Sequence, residues 1–373
     1  MAPSHENGLP GPQARLLHAV CACNYIRLPL TRQHKPSVPE IRFVPSRHFL
    51  HIGSICMRRP YPLLKKKPRM NGDKHVEAGR IAKNGNPHYT VSMQYEEKIV
   101  EYPPVHPGTD RTFIRFYEGE PDLNSIFYAS NNADLPQRIF VTDETICALD
   151  SVRPFVHLFH AEDGSKDFKR GFTGIRGKDV LVILGSGEPY KTIDSVLQIV
   201  SAALDHNAQR SAVFVGIGGG VITDMTAFAA SIFKRGAHCE LMPTSLLCMV
   251  DASVGGKTGC DFSSYKNMIG SFFPAQKIHI CPAFVKSLPQ SEYRSGLAEV
   301  VKTALLYNPE LVTKLENTPS VLTDRTSPLV HEMIQICVSA KARVVEEDLT
   351  EKNIRMQLNL GHTFGHALES RAG

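Results

Sequence analysis

The chain has 373 residues, 42% of them hydrophobic and 21% charged, with a net charge of +5. That composition suits a soluble protein long enough for two domains and a sizeable core, and no apolar run reaches the roughly 18 residues that a membrane-spanning helix needs. The charge is uneven: residues 1–72 hold 12 Lys and Arg against Glu6 and Glu40, leaving 30 basic and 35 acidic residues in the remainder. The body of the protein is therefore mildly acidic, which excludes nucleic acid as its natural partner.

Residues 1–92 show no sustained helical or strand period, prolines recur, and "MRRPYPLLKKKPRM" (57–70) is a basic, proline-broken cluster. This stretch is predicted to be a disordered, solvated extension. Its arginine-rich, acid-poor character also suits a transit segment, which would place the protein in a plastid or other organelle rather than the cytoplasm. The nine cysteines are odd in number and form no C-x-x-C pair, so a reducing compartment is expected.

An α/β domain is predicted over 93–285. "QRIFVTD" (137–143), "DVLVILGSGE" (179–188) and "SAVFVGIGGG" (211–220) are short apolar runs bounded by glycine and polar residues. "SVLQIVSAALDH" (195–206) lies between two of them with helical spacing. Strand–helix–strand alternation implies a parallel sheet. "GIGGGVITDMTAFAA" (216–230) follows a strand and opens a helix. Glycines there would let backbone N–H groups approach a pyrophosphate, although such clusters as often serve a tight turn, and the spacing is not G-x-G-x-x-G. "GSGEPYKT" (185–192), taken alone, is a solvated turn.

From 286 to 373 helices take over: "SEYRSGLAEVVKTALLY" (291–307), "PLVHEMIQICVSAKARVVEED" (328–348) and the closing "LNLGHTFGHALESRAG" (358–373). Glu299 and Lys302 are three apart on one helix, hence on one face, and read alone make a surface ion pair. His362 and His366 are four apart in the closing segment. A carboxylate and an imidazole are suitable zinc ligands.

The succession "VDASVGGKTG" (250–259), "YKNMIGSF" (265–272), "GLAEVVK" (296–302) and "LNLGHTFGHALE" (358–369) resembles 3-dehydroquinate synthase, within the sugar-phosphate cyclases, over roughly 130–373. The resemblance implies a Rossmann-like NAD-binding α/β domain followed by an all-α metal and substrate domain, working as a homodimer. It implies a lyase that uses NAD⁺ and a divalent metal, zinc or another such as cobalt, to cyclise 3-deoxy-D-arabino-heptulosonate 7-phosphate into 3-dehydroquinate, eliminating phosphate, in the shikimate pathway of aromatic amino-acid biosynthesis.

Residue by residue, the resemblance makes Glu299 and His362 metal ligands, and His366 a histidine facing the substrate. Asp251, Lys257 and Lys302 match catalytic positions. Lys341, Arg355 and Asn359 match substrate contacts, and Lys266 and Asn267 match the loop near cofactor and phosphate. Arg235, in "FKRGA", matches a phosphate contact reaching across a dimer interface, where a guanidinium fork suits the anion. Asp143, Glu188, Lys191, Gly219, Gly220, Asp224 and Thr244 fall where the family holds NAD⁺, with Ser245 standing where threonine is usual. Without the resemblance, each of the cations reads as a solvated surface charge.

The resemblance also implies a third metal-binding histidine and a further substrate lysine later than Gly373, so the helical domain is expected to be incomplete and zinc to be held weakly. Three rivals remain. A cyclase of sedoheptulose 7-phosphate, such as 2-epi-5-epi-valiolone synthase, is disfavoured by Arg355, Asn359 and His366. A metal-dependent polyol dehydrogenase is disfavoured by the 250–259 and 265–272 motifs. A non-catalytic NAD-binding remnant stays open.

Overall fold

The computed structural model describes residues 94–102, 110–128, 135–263 and 265–362. The extension at 1–92 and the closing segment beyond His362, His366 included, lie outside them. Ten strands are described: β1 (Tyr95–Glu101), β2 (Arg111–Tyr117), β3 (Arg138–Asp143), β4 (Thr173–Arg176), β5 (Asp179–Leu184), β6 (Val213–Gly218), β7 (His238–Pro243), β8 (Lys257–Phe262), β9 (Tyr265–Phe272) and β10 (Lys277–Ile280). The longer helices are α1 (Ile193–Asp205), α2 (Gly220–Ile232), α3 (Gln290–Tyr307), α4 (Pro309–Asn317) and α5 (Pro328–Glu347).

Eight strands form one sheet in the order β1-β2-β10-β7-β6-β3-β5-β4. The six central strands run parallel, as the sequence predicts, and both edges are closed by antiparallel partners, β1 on β2 and β4 on β5. The central strands are covered on both faces, so "DVLVIL" in β5 and "VFVGIG" in β6 are buried at every position. Edge strand β1 instead carries exposed Glu96, Glu97 and Glu101 along "YEEKIVE", charges that discourage pairing with another chain.

Helix α1 starts at Thr192, whose hydroxyl accepts the Ser195 N–H at 3.2 Å, and it buries Val196, Ile199, Ala202 and Ala203. Helix α2 is buried almost all round. Its sequence "GVITDMTAFAASI" has no polar face because the sheet lies on one side and the β8–β9 hairpin packs on the other. That hairpin is not legible as a β-pair in the sequence. Its link to α1 is the Asp261 N–H donating to the Lys191 carbonyl at 2.7 Å. Among the described residues, no helix is long and apolar enough to cross a membrane.

The order of the strands positions the site. From β3 the chain passes to β5 on one side, whereas from β6 it passes to β7 on the other. The neighbouring carboxyl ends of β3 and β6 thus send their connections apart and open a crevice, where ligands of open α/β sheets bind. Asp143 ends β3, and Gly219 follows β6.

A buried polar chain crosses strands β2, β10 and β7 within the sheet. The Tyr117 hydroxyl lies 2.9 Å from His279 Nδ1, His279 Nε2 lies 3.0 Å from Glu240 Oε2, and Lys277 donates to Glu240 Oε1 at 2.7 Å. Burial alone would raise the Glu240 pKa, but the bonds from His279 and Lys277 bring it down to about 2. Burial lowers the His279 pKa, with Glu240 opposing. Both folded-state values lie below the unfolded ones, so both contributions are present above about pH 6.5 and are lost on acidification. Glu240→Gln should cost about 2 kcal/mol at pH 7 by weakening the bonds that His279 and the partly exposed Lys277 make to the buried carboxylate. It should also flatten the decline of stability between neutral and acid pH, as read from urea unfolding across that range.

Candidate active site

One side of the crevice is built by the ends of β3, β6 and β7. Asp143 caps the short helix Glu144–Cys147, accepting the N–H groups of Thr145 and Ile146 at 2.9 Å each, and the Ser186 hydroxyl at 2.9 Å. All three arrive at Oδ1. Burial raises its pKa, with these bonds opposing. Gly219 and Gly220 open α2. A Cβ at Gly219 would stand 3.6 Å from Ser245 Oγ, and one at Gly220 3.5 Å from Ala252 Cβ, both ordinary contacts. Packing therefore does not demand glycine at either position, unlike Gly218, where a Cβ would meet Ile222 at 2.6 Å. The missing side chains leave room for a ligand beside the helix N-terminus, as a pyrophosphate requires. The Thr244 N–H is tied to the Gly218 carbonyl at 2.9 Å, and Ser245 Oγ accepts the Cys248 N–H at 3.3 Å.

Lys191 is buried at the centre of this side, donating to Asp224 Oδ2 at 2.6 Å and to Asn267 Oδ1 at 2.7 Å. Burial pushes the Asp224 carboxyl up to about 6 even though Lys191 pulls it the other way. Lys191 itself keeps a raised pKa, because Asp224 outweighs the effect of burial. Asn267 holds a left-handed backbone (φ 54°), and its N–H donates to Asp261 at 2.7 Å. Beside it, Lys266 reaches Glu188 at 3.7 Å. The β8–β9 hairpin thus closes against the loop after β5 and brings "YKNMIG" to "GEPYK".

The helical half faces this set. Asp251 sits in a single π-helical turn, Cys248–Ala252, an irregularity often found at functional positions. Lys341 of α5 donates to the Asp251 carboxylate and, at 2.6 Å, to its carbonyl. Burial opposes the charge of Asp251, yet Lys341, Lys302 and His362 together hold its carboxyl far below the usual range. Burial lowers the Lys341 pKa, with Asp251 opposing. Lys302 pairs with Glu299 and donates to the Leu358 carbonyl at 2.6 Å. The sequence reading of a surface pair is corrected here: the two side chains are only 6% and 13% exposed, because α5 and the 354–359 turn cover this face of α3. Glu299 Oε2 touches the Lys302 ammonium but accepts no well-directed hydrogen bond, which leaves lone-pair capacity for a cation.

Arg355 is buried, donating to the carbonyls of Gly255 at 2.8 Å and of Leu349. Lys257, at the start of β8, pairs with Glu351, and Asn359 Nδ2 donates to Glu351 at 2.5 Å. His362 is half-buried and within electrostatic reach of Asp251. Among the described residues no three His, Cys, Asp or Glu side chains form a metal cage. His366 lies outside those residues. Arg235 is set apart: it is exposed three residues before β7 begins, whereas Thr244 and Ser245 follow the other end of that strand. It borders a recess with Arg210, His238 and Gln276. Glu351 was not singled out by the sequence, because its loop, "DLTEKN", reads as a solvated turn and its partner Lys257 is far away along the chain.

Two family models match in succession: 3-dehydroquinate synthase N-terminal over residues 181–295, and 3-dehydroquinate synthase C-terminal over 296–373. The 3-dehydroquinate synthase of Rippkaea orientalis is 43% identical over 195 residues, covering 51% of this chain and 53% of that protein. The chain spans about half the length of the curated relatives it matches. Among solved structures, the 2-epi-5-epi-valiolone synthase of Streptomyces hygroscopicus subsp. jinggangensis, with NAD⁺ and Zn²⁺ bound, is 27% identical with a TM-score of 0.54, covering 63% of each chain. A 2-deoxy-scyllo-inosose synthase is 25% identical with a TM-score of 0.59, covering 74% of this chain and 72% of that one.

The pair between α5 and the π-helical turn can be tested alone. Lys341→Met should lose about 3 kcal/mol of stability by removing the nearest counter-charge of the partly buried Asp251 carboxylate, leaving only the weaker effect of Lys302 and His362. Adding Asp251→Asn should restore about 2 kcal/mol of it. Additive losses in urea unfolding of the two single variants and the double variant would show that the pair is not coupled.

Proposed function

This chain belongs to the 3-dehydroquinate synthase family, and from that premise we propose that it converts 3-deoxy-D-arabino-heptulosonate 7-phosphate into 3-dehydroquinate and phosphate, using NAD⁺ and a divalent metal, Zn²⁺ or Co²⁺. The observation that carries this reading is one continuous charged cluster. Asp251, Glu299, Lys302 and Lys341 lie together, and Lys341 also acts on Asp224 of the cofactor side.

In this reading residues 93–285 hold the cofactor and 286–373 the metal and substrate. The α2 N-terminus with Gly219 and Gly220 receives the pyrophosphate. Asp143 has its second carboxylate oxygen for a ribose hydroxyl, and Glu188 offers another acceptor. Lys191 is kept charged by Asp224 and holds Asn267 toward the same space. Glu299 and His362 would hold the metal, and their carboxylate and imidazole chemistry fits a zinc-type ion. When bound, NAD⁺ supplies a transient oxidation that acidifies the neighbouring C–H, and the metal supplies Lewis acidity at the substrate hydroxyls.

The chain's own groups bind and orient the substrate. Lys257, Lys341 and Arg355 supply positive charge to its anionic groups, and Asn359 supplies an amide donor. Asp251 opposes the fall that burial imposes on the Lys341 pKa and so favours its ammonium form. Because Asp251 stays ionised, it is also the acceptor for a substrate hydroxyl. Closing the helical half over this cluster excludes water from charges whose mutual effects would fade in bulk solvent. Arg235, at the other end of β7, would act on the phosphate of a second copy in a homodimer.

Two measurements test the reading. Titration calorimetry should show NAD⁺ binding in preference to NADP⁺, since Asp143 and Glu188 would repel a 2′-phosphate. Asp224→Ala should weaken NAD⁺ binding by about ten-fold or more, equal to at least about 1.4 kcal/mol. With the sugar phosphate, NAD⁺ and Zn²⁺, phosphate release should depend on both additions and fall by about 100-fold in Asp251→Asn, about 2.7 kcal/mol of transition-state stabilisation. A protein that binds NAD⁺ yet releases no phosphate would return it to a non-catalytic NAD-binding role.

A further inference from the structure

One acid on the cofactor side has no place in the reading above. Asp261 is half-buried in β8, and the ladder of the β8–β9 hairpin loses its register at this residue. Cys260 pairs with Ile269 and Phe262 with Tyr265, so Asp261 alone faces Lys266, Asn267 and Met268. The irregularity puts the extra residues on β9, and bulges re-aim side chains beside functional sites. At this break the Asn267 N–H turns to the Asp261 side chain, whose Oδ1 accepts it at 2.7 Å. The carboxylate thereby takes the place of a ladder partner and supports the left-handed backbone of Asn267, φ 54°.

The bonds that start at Asp261 close into a ring. Its own N–H donates to the Lys191 carbonyl at 2.7 Å, and Thr192 bridges to it in parallel. Lys191 Nζ reaches Asn267 Oδ1 at 2.7 Å, and the Asn267 N–H returns to Asp261. Lys191, Asp261 and Asn267 each give one main-chain and one side-chain atom to this ring. An ammonium has three N–H groups. Asp224 takes one at 2.6 Å and Asn267 another, and fixing two fixes the direction of the third. Burial opposes the Lys191 charge, while Asp224, Glu188 and Asp261 favour it.

We propose that Asp261 is a positioning residue for the cofactor. It acts through its neighbours and not by contact with NAD⁺. By holding the Asn267 backbone it aims the Asn267 amide oxygen at Lys191, and so fixes where the Lys191 ammonium is offered to NAD⁺. The long lysine side chain is thereby ordered before the cofactor arrives, which favours binding. The break in the ladder is what permits this: a regular hairpin would pair Asp261 across to β9 and leave its N–H no reason to reach Lys191. This inference rests on reading Lys191 as a cofactor residue.

The test uses the full chain and two readouts, neither of which depends on turnover. Amide hydrogen exchange reports the bond at Asn267, and titration calorimetry with NAD⁺ reports its consequence. Asp261→Ala removes the acceptor but leaves the main-chain bond to Lys191, so the hairpin stays attached. It should speed exchange at Asn267 about ten-fold and weaken NAD⁺ binding about five-fold. Asp261→Asn keeps an Oδ1 acceptor and should bring both back to within about two-fold of the parent. Asn267→Gly keeps the left-handed backbone and removes the amide, so in that background Asp261→Ala should weaken NAD⁺ binding no further. Faster exchange with unchanged NAD⁺ binding would make the bond purely structural and overturn the positioning role. Unchanged exchange in Asp261→Ala, an equal loss of binding in the Asn267→Gly background, or no recovery in Asp261→Asn would overturn it too. If Asp261→Ala does not fold, Asp261→Leu fills the space without an acceptor and carries the same comparison. A parent that binds no NAD⁺ while Asn267 stays protected would remove the cofactor reading, and the positioning role with it.

Discussion

The ion pair between Lys341 and Asp251 is the constraint on which the rest of the site depends. It joins the middle of α5 to the π-helical turn after β7, and so fastens the helical half to the α/β half at the crevice. Neither partner is tolerable there alone. Burial disfavours the charge of each partner, and each charge opposes that effect on the other. Lys302 reinforces the tie from α3, reaching both Glu299 beside it and the carbonyl of Leu358. The turn that leads to His362 is thereby held over the same cluster.

Around that tie the site is a set of ion pairs. Five lysines lie here, and each is paired with an acid. Such pairing stores positive charge in a low-dielectric cleft without the large cost of isolated buried cations. Lys257 and Lys266 are the more exposed lysines, whereas the buried pairs hold the architecture.

The sheet explains why the two sides of the candidate site meet. The switch in strand order opens the crevice between β3 and β6, and α2 rises from it with a glycine start. The β8–β9 hairpin lies along α2 and carries Asn267 back to Lys191, so one element serves both sides. Arg235 falls at the opposite end of β7, which fits a residue that serves another copy of the chain and not its own site.

The sequence by itself determined the layers. The apolar runs at 137–143, 179–188 and 211–220 became β3, β5 and β6, three of the six parallel strands. The 291–307 and 328–348 periods became α3 and α5 almost to the residue. The motif succession pointed to the site residues. Tertiary structure alone decided the antiparallel edges, the β8–β9 pairing and the short α4, because strand partners are set by contacts distant in sequence and short helices by packing. It alone turned Glu299 and Lys302 from a surface pair into a buried one, since burial of a helix face depends on what covers it. It alone brought Glu351 to Lys257, a pairing between residues far apart along the chain that no residue spacing encodes.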